Sequence, residues 1–159
     1  MAIRKRGGAR PNGAGDEAID YGPLAHWVGF NLRMAQAAAF AGMQRLAKEV
    51  GSRPGRFATL MLIGRNPGIS QTALSRANGR DKSTLTPVLN DLEKRGFIRR
   101  QRTAKDQRVY RLTLTPAGRK LLRQLVACAR KHERNLDRII GSDQQVNFVR
   151  ILKRIAAQA

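Results

Sequence analysis

The chain has 159 residues, 42% of them apolar, and Lys plus Arg outnumber Asp plus Glu by 31 to 11, for a formal charge of +20. A single cysteine, Cys128, excludes an intramolecular disulfide, and two histidines without a ligand cluster or paired carboxylates leave metal chemistry and catalysis without a basis. The apolar run Ala37–Met43 is too short to span a bilayer and the N-terminus has no secretory pattern, so a cytoplasmic, non-membrane, non-enzymatic protein with a polyanionic partner is expected.

Residues 1–19 are rich in Gly and cations and poor in apolar side chains, and are expected to form a disordered basic arm. A long helical pattern follows, from Leu24 to Val50, with Val28, Leu32, Ala35, Ala39, Met43, Leu46 and Val50 in one stripe. Phe30, Met34, Ala38 and Ala41 lie off that stripe, so the helix is apolar on most of its girth, as a helix buried against a second copy would be. "GSRPG" interrupts the pattern, with Pro54 suited to the first turn of the next helix. That helix, "RFATLMLIGRN", is expected to turn Phe57, Leu60, Met61 and Leu62 inward.

Two short helices come next. Ser70 is placed to cap the first, from Gln71 to Asn78-Gly79, and Asp81 the second, which ends at Gly96. Joined by a tight glycine turn, they form a helix-turn-helix pattern. In the second helix Leu85, Val88, Leu89 and Leu92 share the core side. Ser83, Thr86, Pro87, Asn90 and Lys94 face away, flanked by Lys82, Thr84 and Asp91. Short hydroxyls and amides on an exposed face can reach base edges in a major groove. Pro87 removes a backbone donor, so this helix is expected to begin nearer Ser83-Thr84 than Asp81, with a bend at Pro87 as the other reading.

From Phe97 to Pro116 the period changes to two. "GFIRRQ" and the alternation of Tyr110, Leu112 and Leu114 predict two strands, each with one buried face, around a cationic loop. Six cations, including Arg102, Lys105 and Arg108, stand in this stretch with the lone acid Asp106. A helix-turn-helix followed by such a hairpin is a winged arrangement, with the recognition helix in the major groove and the loop reaching toward backbone or minor groove. Thr115 and Pro116 then open a helix expected to reach Ile140. Ser142 and Gln145 have capping-box spacing before a last helix bearing Val149, Leu152 and Ile155. The cations of residues 116–159, among them Arg119, Lys120, Arg123, Arg130, Lys131 and Arg134, read as a solvated face adding attraction to DNA, with a phosphorylated ligand as the alternative. Cys128 reads as an inert core residue and His132 as a surface residue.

"DKSTLT", "LEKRGFIRR", Asp106-x-Arg108 and "LTPAG" together resemble the MarR family of bacterial transcriptional regulators. The resemblance implies a mostly α (α+β) fold over residues 20–157: a winged helix-turn-helix with a two-stranded wing at 53–116, flanked by dimerisation helices at 20–52 and 117–157. It implies a homodimer on a pseudo-palindromic double-stranded DNA site, usually a repressor, released by a small-molecule effector. No cofactor is implied. On this pattern Arg108 is the wing arginine, oriented by Asp106, and Ser83, Thr84, Thr86 and Pro87 meet bases. Ser70, Gln71, Lys82, Asn90, Arg102 and Lys105 complete the DNA-facing set. Arg53, where the family usually has Ser or Thr, and Asn78, where it usually has an apolar residue, depart from it. For the effector, His26, Trp27, Phe30 and Arg33 place aromatic rings beside a cation, suiting an aromatic carboxylate or its coenzyme A thioester. Trp27 reads first as a core or dimer contact. A sequence-tolerant architectural nucleic-acid binder and a regulator without a metabolite are the competing readings.

Overall fold

A computed structural model describes residues 19–53, 55–102 and 110–158. The basic arm up to residue 18, Pro54 and the wing-tip residues Lys105, Asp106 and Arg108 lie outside the described residues.

The chain divides into two compact units at Ala35. In the N-terminal unit the expected continuous helix from Leu24 is interrupted. A 3-10 turn, Gly22–His26, ends at Trp27 in extended backbone, and α1, Val28–Glu49, starts after it. Asn31 explains the break. Its Nδ2 donates to the carbonyls of Ala25 and Trp27 (3.1 and 2.9 Å), offering them a side-chain partner at the junction.

The second unit holds the rest of α1, then α2 (Gly55–Arg65), β1 (Ile69–Ser70), α3 (Gln71–Asn78) and α4 (Lys82–Lys94). β2 (Ile98–Arg102), β3 (Tyr110–Leu114), α5 (Pro116–Ile140) and α6 (Gln145–Gln158) complete it. The sheet is antiparallel in the order β1-β3-β2, so the expected two-stranded wing gains a short third strand. Two residues, paired Ile69 to Leu112 and Ser70 to Arg111, carry no period-two signal of their own.

The core joins Leu60 and Ile63 of α2, Leu74 of α3, Leu85, Leu89 and Leu92 of α4, Leu112 of β3 and Leu125 of α5. On α2 the buried residues are Arg56, Thr59, Leu60 and Ile63, at helical spacing. Phe57, Met61 and Leu62 are only half-buried. The inward face is thus rotated from the expected one, because an Arg and a Thr occupy half of it. Thr59 is satisfied by Asn78, whose Nδ2 donates to Thr59 Oγ1 at 3.1 Å. The departure at Asn78 is therefore a part-buried polar pair in place of an apolar contact.

The base of the wing and the start of α5 are clasped together. Thr115 N–H donates to Phe97 O (3.1 Å), the Thr115 hydroxyl donates to Gly96 O (2.6 Å), and Thr115 Oγ1 accepts from Gly118 N (3.0 Å). A Cβ on Gly118 would fall 1.9 Å from Phe97 O, so only glycine permits this approach. Farther along α5, Cys128 is buried and its thiol faces Leu46 O at 3.4 Å, as a core residue would. His132 is half-buried against Gly42 rather than a surface residue. The expected capping box is absent. Gln145 is the first residue of α6, and its Nε2 donates to Asp137 of α5 (3.0 Å), which anchors the helix by a different contact.

Candidate nucleic-acid interface

The helix-turn-helix is built as its caps require. Ser70 Oγ accepts from Ala73 N (3.2 Å) to open α3, and Gly79 closes it in the left-handed region at φ 60°. Asp81 opens α4 by accepting from Thr84 N (2.7 Å), so the helix begins at Lys82 and not near Ser83-Thr84. Pro87 lies inside it. The N–H that Pro87 lacks is the usual donor to Ser83 O, in the exposed first turns where water reaches that carbonyl. A well-made cap thus outweighs one missing bond.

With Leu85, Leu89 and Leu92 fully buried, α4 presents Lys82, Ser83, Thr84, Pro87, Asn90 and Lys94 to solvent and Thr86 at the margin. The hydroxyl-bearing side chains among them are tied down. Ser83 and Thr84 hydroxyls donate to the Asp81 carboxylate, Thr86 Oγ1 donates to Lys82 O (2.7 Å), and Gln71 Nε2 donates to Thr86 Oγ1 (2.8 Å). Donation by the Ser83 hydroxyl, then by Thr84 N–H and hydroxyl, holds the Asp81 carboxyl down at about 2. Because each hydroxyl proton is spent internally, what faces outward is oxygen lone pairs, which suit the amino groups of adenine or cytosine.

Asn90 is oriented from β2. Arg100 Nη2 donates to Asn90 Oδ1 (2.6 Å), and Arg100 Nε lies 3.1 Å from Glu93 Oε2. A guanidinium has only donors, so the acceptor of the Asn90 amide must face it and the NH2 is left to face out. Arg100 was not singled out by the sequence, where it is one cation among six. Behind α4, Arg56 of α2 is buried and ion-paired with Asp91 Oδ2 (2.5 Å), and Arg95 reaches Asp91 Oδ1 at 3.2 Å. Burial lowers the Arg56 pKa, and the Asp91 charge opposes that shift. This pair pins the recognition helix to the core, and it too went unread in the sequence.

On the wing, Arg102 pairs with Tyr110 across the strands, its guanidinium 5.5 Å from the ring centroid and donating to the phenol oxygen (3.1 Å). Tyr110 was expected on the buried face of β3. It is 37% exposed, because the pair lies at the loop end of the strands, beyond the reach of the core. Arg111 Nη1 donates to Gly68 O (3.1 Å). Three of the stretch's cations therefore have internal acceptors.

In the N-terminal unit Arg33 lies 5.3 Å above the Phe30 ring, and Tyr21, not singled out before, stands 5.6 Å from Phe30 on its other contact. His26 and Trp27 are exposed at the end of the 3-10 turn. Phe30 and Arg33 are brought together, and neither His26 nor Trp27 joins them in a stacking or hydrogen-bonded contact among the described residues. The seven cations of α5, Arg138 with the six named above, are all exposed. Among the described residues no cluster of three or more His, Cys, Asp or Glu could hold a metal ion, and no helix is long and apolar enough to cross a membrane.

The sequence model of the MarR family matches residues 53–110. A putative transcriptional regulatory protein for the hcr operon of Thauera aromatica is 32% identical over 157 residues, covering 98% of this chain and 94% of that protein. Among solved structures, the transcriptional repressor CouR bound to a 23-mer DNA duplex superposes with a TM-score of 0.81 at 30% identity, covering 88% of this chain and 99% of CouR. CouR bound to p-coumaroyl-CoA gives 0.81 at 28% identity over 89% and 99%.

Proposed function

Because this chain belongs to the MarR family of transcriptional regulators, we propose that it binds a pseudo-palindromic operator as a homodimer, represses from it, and is released by an aromatic carboxylate or its coenzyme A thioester. The observation that carries the DNA-binding reading is the outer face of α4. Ser83, Thr84 and Asn90 are exposed and hydrogen-bonded into fixed poses, with Pro87 exposed among them, beside a cationic wing. In this reading Ser70, Gln71, Lys82 and Thr86 complete the contact surface around α4. Arg102, Lys105 and Arg108 serve the wing, with Asp106 orienting Arg108.

Two features support the dimer. In the N-terminal unit Trp27 and Val28 are 59% and 72% exposed. In the second unit Ile139 and Val146 are 81% and 77% exposed, and α6 has no buried residue. Large apolar side chains left in water at this density mark a surface that a partner covers. The effector reading draws support from the Arg33–Phe30–Tyr21 cluster and from the p-coumaroyl-CoA held by CouR.

Footprinting on DNA flanking the gene tests the reading. One protected pseudo-palindrome with half-sites about one helical turn apart is expected. Equal affinity for unrelated duplexes at physiological salt would make the protein a sequence-tolerant binder instead. A thermal-shift screen of aromatic acids and their coenzyme A thioesters tests the effector, and silence across it points to a regulator without a metabolite.

A further inference from the structure

An asparagine in a major groove ordinarily reads adenine. Its amide carbonyl accepts from the N6 amino group while its NH2 donates to N7. Asn90 is not free to do this. Its Oδ1 is turned toward β2, where Arg100 Nη2 donates to it at 2.6 Å. The arginine is itself fixed, with its side chain 16% exposed and its Nε 3.1 Å from Glu93 Oε2. A guanidinium carries donors only, so turning the amide over would set NH2 against N–H with no acceptor between them. The carbonyl therefore stays with the sheet, and the exposed side of Asn90 offers donors alone.

The four bases differ in what they show such a donor. Guanine presents two acceptors, O6 and N7, and no donor. Adenine presents N7 beside an amino group that needs an acceptor, thymine presents O4 beside a methyl group, and cytosine presents an amino group. A donor-only NH2 strands the adenine amino group, whereas on guanine both acceptors are met. Leaving a desolvated polar group unpaired is costly, and that penalty decides between the two purines.

The helix also sets a spacing. Ser83 precedes Asn90 by seven residues, about 20° short of two full turns, so the two stand on one line of α4 about 10 Å apart. Bases rise by about 3.4 Å per step, so that line covers about three base pairs. The Ser83 hydroxyl proton is spent on Asp81, which leaves an acceptor for an amino group at that end.

We propose that Asn90 is a specificity-determining residue that reads guanine in place of adenine, held in that role by Arg100. Each half-site then carries this guanine about three base pairs from an adenine or cytosine read by Ser83. Arg100 is a positioning residue, since it touches the reader and not the base. The proposal rests on the reading of α4 as the base-facing helix.

The experiment selects bound duplexes from a randomised pool with the full-length protein, then titrates the selected duplex and its single-base variants. The wild type should select guanine at one position of each half-site and disfavour adenine there by about tenfold. Asn90→Asp keeps an acceptor for Arg100 but turns a second one outward, so the same position should change to cytosine, whose amino group suits a carboxylate. Arg100→Ala releases the amide, and adenine should gain on guanine at that position. Thermal unfolding verifies that each variant is folded. If Arg100 only supports the fold, Arg100→Ala weakens all duplexes evenly and leaves the base preferences of the wild type, which overturns the proposal. Selected sequences that are the same for Asn90→Asp and wild type overturn it too, as does a wild-type preference for adenine at the position that Asn90→Asp changes. Failure of the DNA-binding reading looks different, because the wild type then selects no sequence at all and both fall together.

Discussion

Replacing Asp91 by Ala removes the one counter-charge that the buried Arg56 has among the described residues. The Arg56 side chain is 6% exposed and that of Asp91 is 40% exposed. Breaking a fully buried ion pair from one side costs about 3–5 kcal/mol, because the other charge is stranded. Because the Asp91 side chain is partly exposed, water can enter the space it leaves and partly solvate Arg56, so about 2–3 kcal/mol is expected. The Arg95 contact to the same carboxylate spans one helical turn at the surface, and Arg95→Ala should cost at most about 0.5 kcal/mol. Urea unfolding followed by circular dichroism, at matched protein concentration because the stability of the proposed dimer depends on it, measures both. The double substitution Arg56→Met with Asp91→Leu should recover most of the loss. If Asp91→Ala costs no more than Arg95→Ala, Arg56 is solvated in the folded protein and the pair does not pin α4 to α2.

Gly118→Ala should destabilise the protein by about 3 kcal/mol, since its methyl must displace the Phe97 carbonyl, and unfolding curves within about 0.5 kcal/mol of wild type would refute that packing. Asp81, held at about 2 by its donors, should titrate there in an NMR pH series and move up toward the ordinary carboxylate range in Ser83→Ala. Its folded pKa is depressed, so its contribution to stability is complete above about pH 4 and is lost as the pH falls through about 2. Arg100→Ala should weaken operator binding about tenfold through the freed Asn90 amide while leaving the dimer mass unchanged in ultracentrifugation. Arg100→Lys should not restore it, because an ammonium cannot span Asn90 and Glu93 together.

Much of this molecule is legible in the chain because its local signals agree. Ser70, Gly79, Asp81 and Thr115 each act as the cap or stop that their residue type favours, and those four positions set the helix-turn-helix and the start of α5. The signals fail where tertiary contacts compete with local pattern. Pro87 argues for a later helix start, yet Asp81 with three donors settles it earlier. Arg56 and Thr59 hide the true inward face of α2, because only Leu60 and Ile63 of its four buried residues give an apolar signal. Arg100 and Tyr110 depend on strand register, which a single strand does not reveal.

The clasp at Thr115 has a meaning for how such a chain can diversify. The polypeptide leaves the core at Phe97 and returns to the same atoms at Thr115, with Ile98 and Leu114 paired just above. The hairpin between them hangs from a closed base. Its tip can therefore be lengthened, shortened or recharged without shifting where α5 begins. The wing is an interchangeable part, and on the proposed DNA-binding reading a different tip grafted between Arg102 and Tyr110 would change which duplex the protein meets while the scaffold stays as it is.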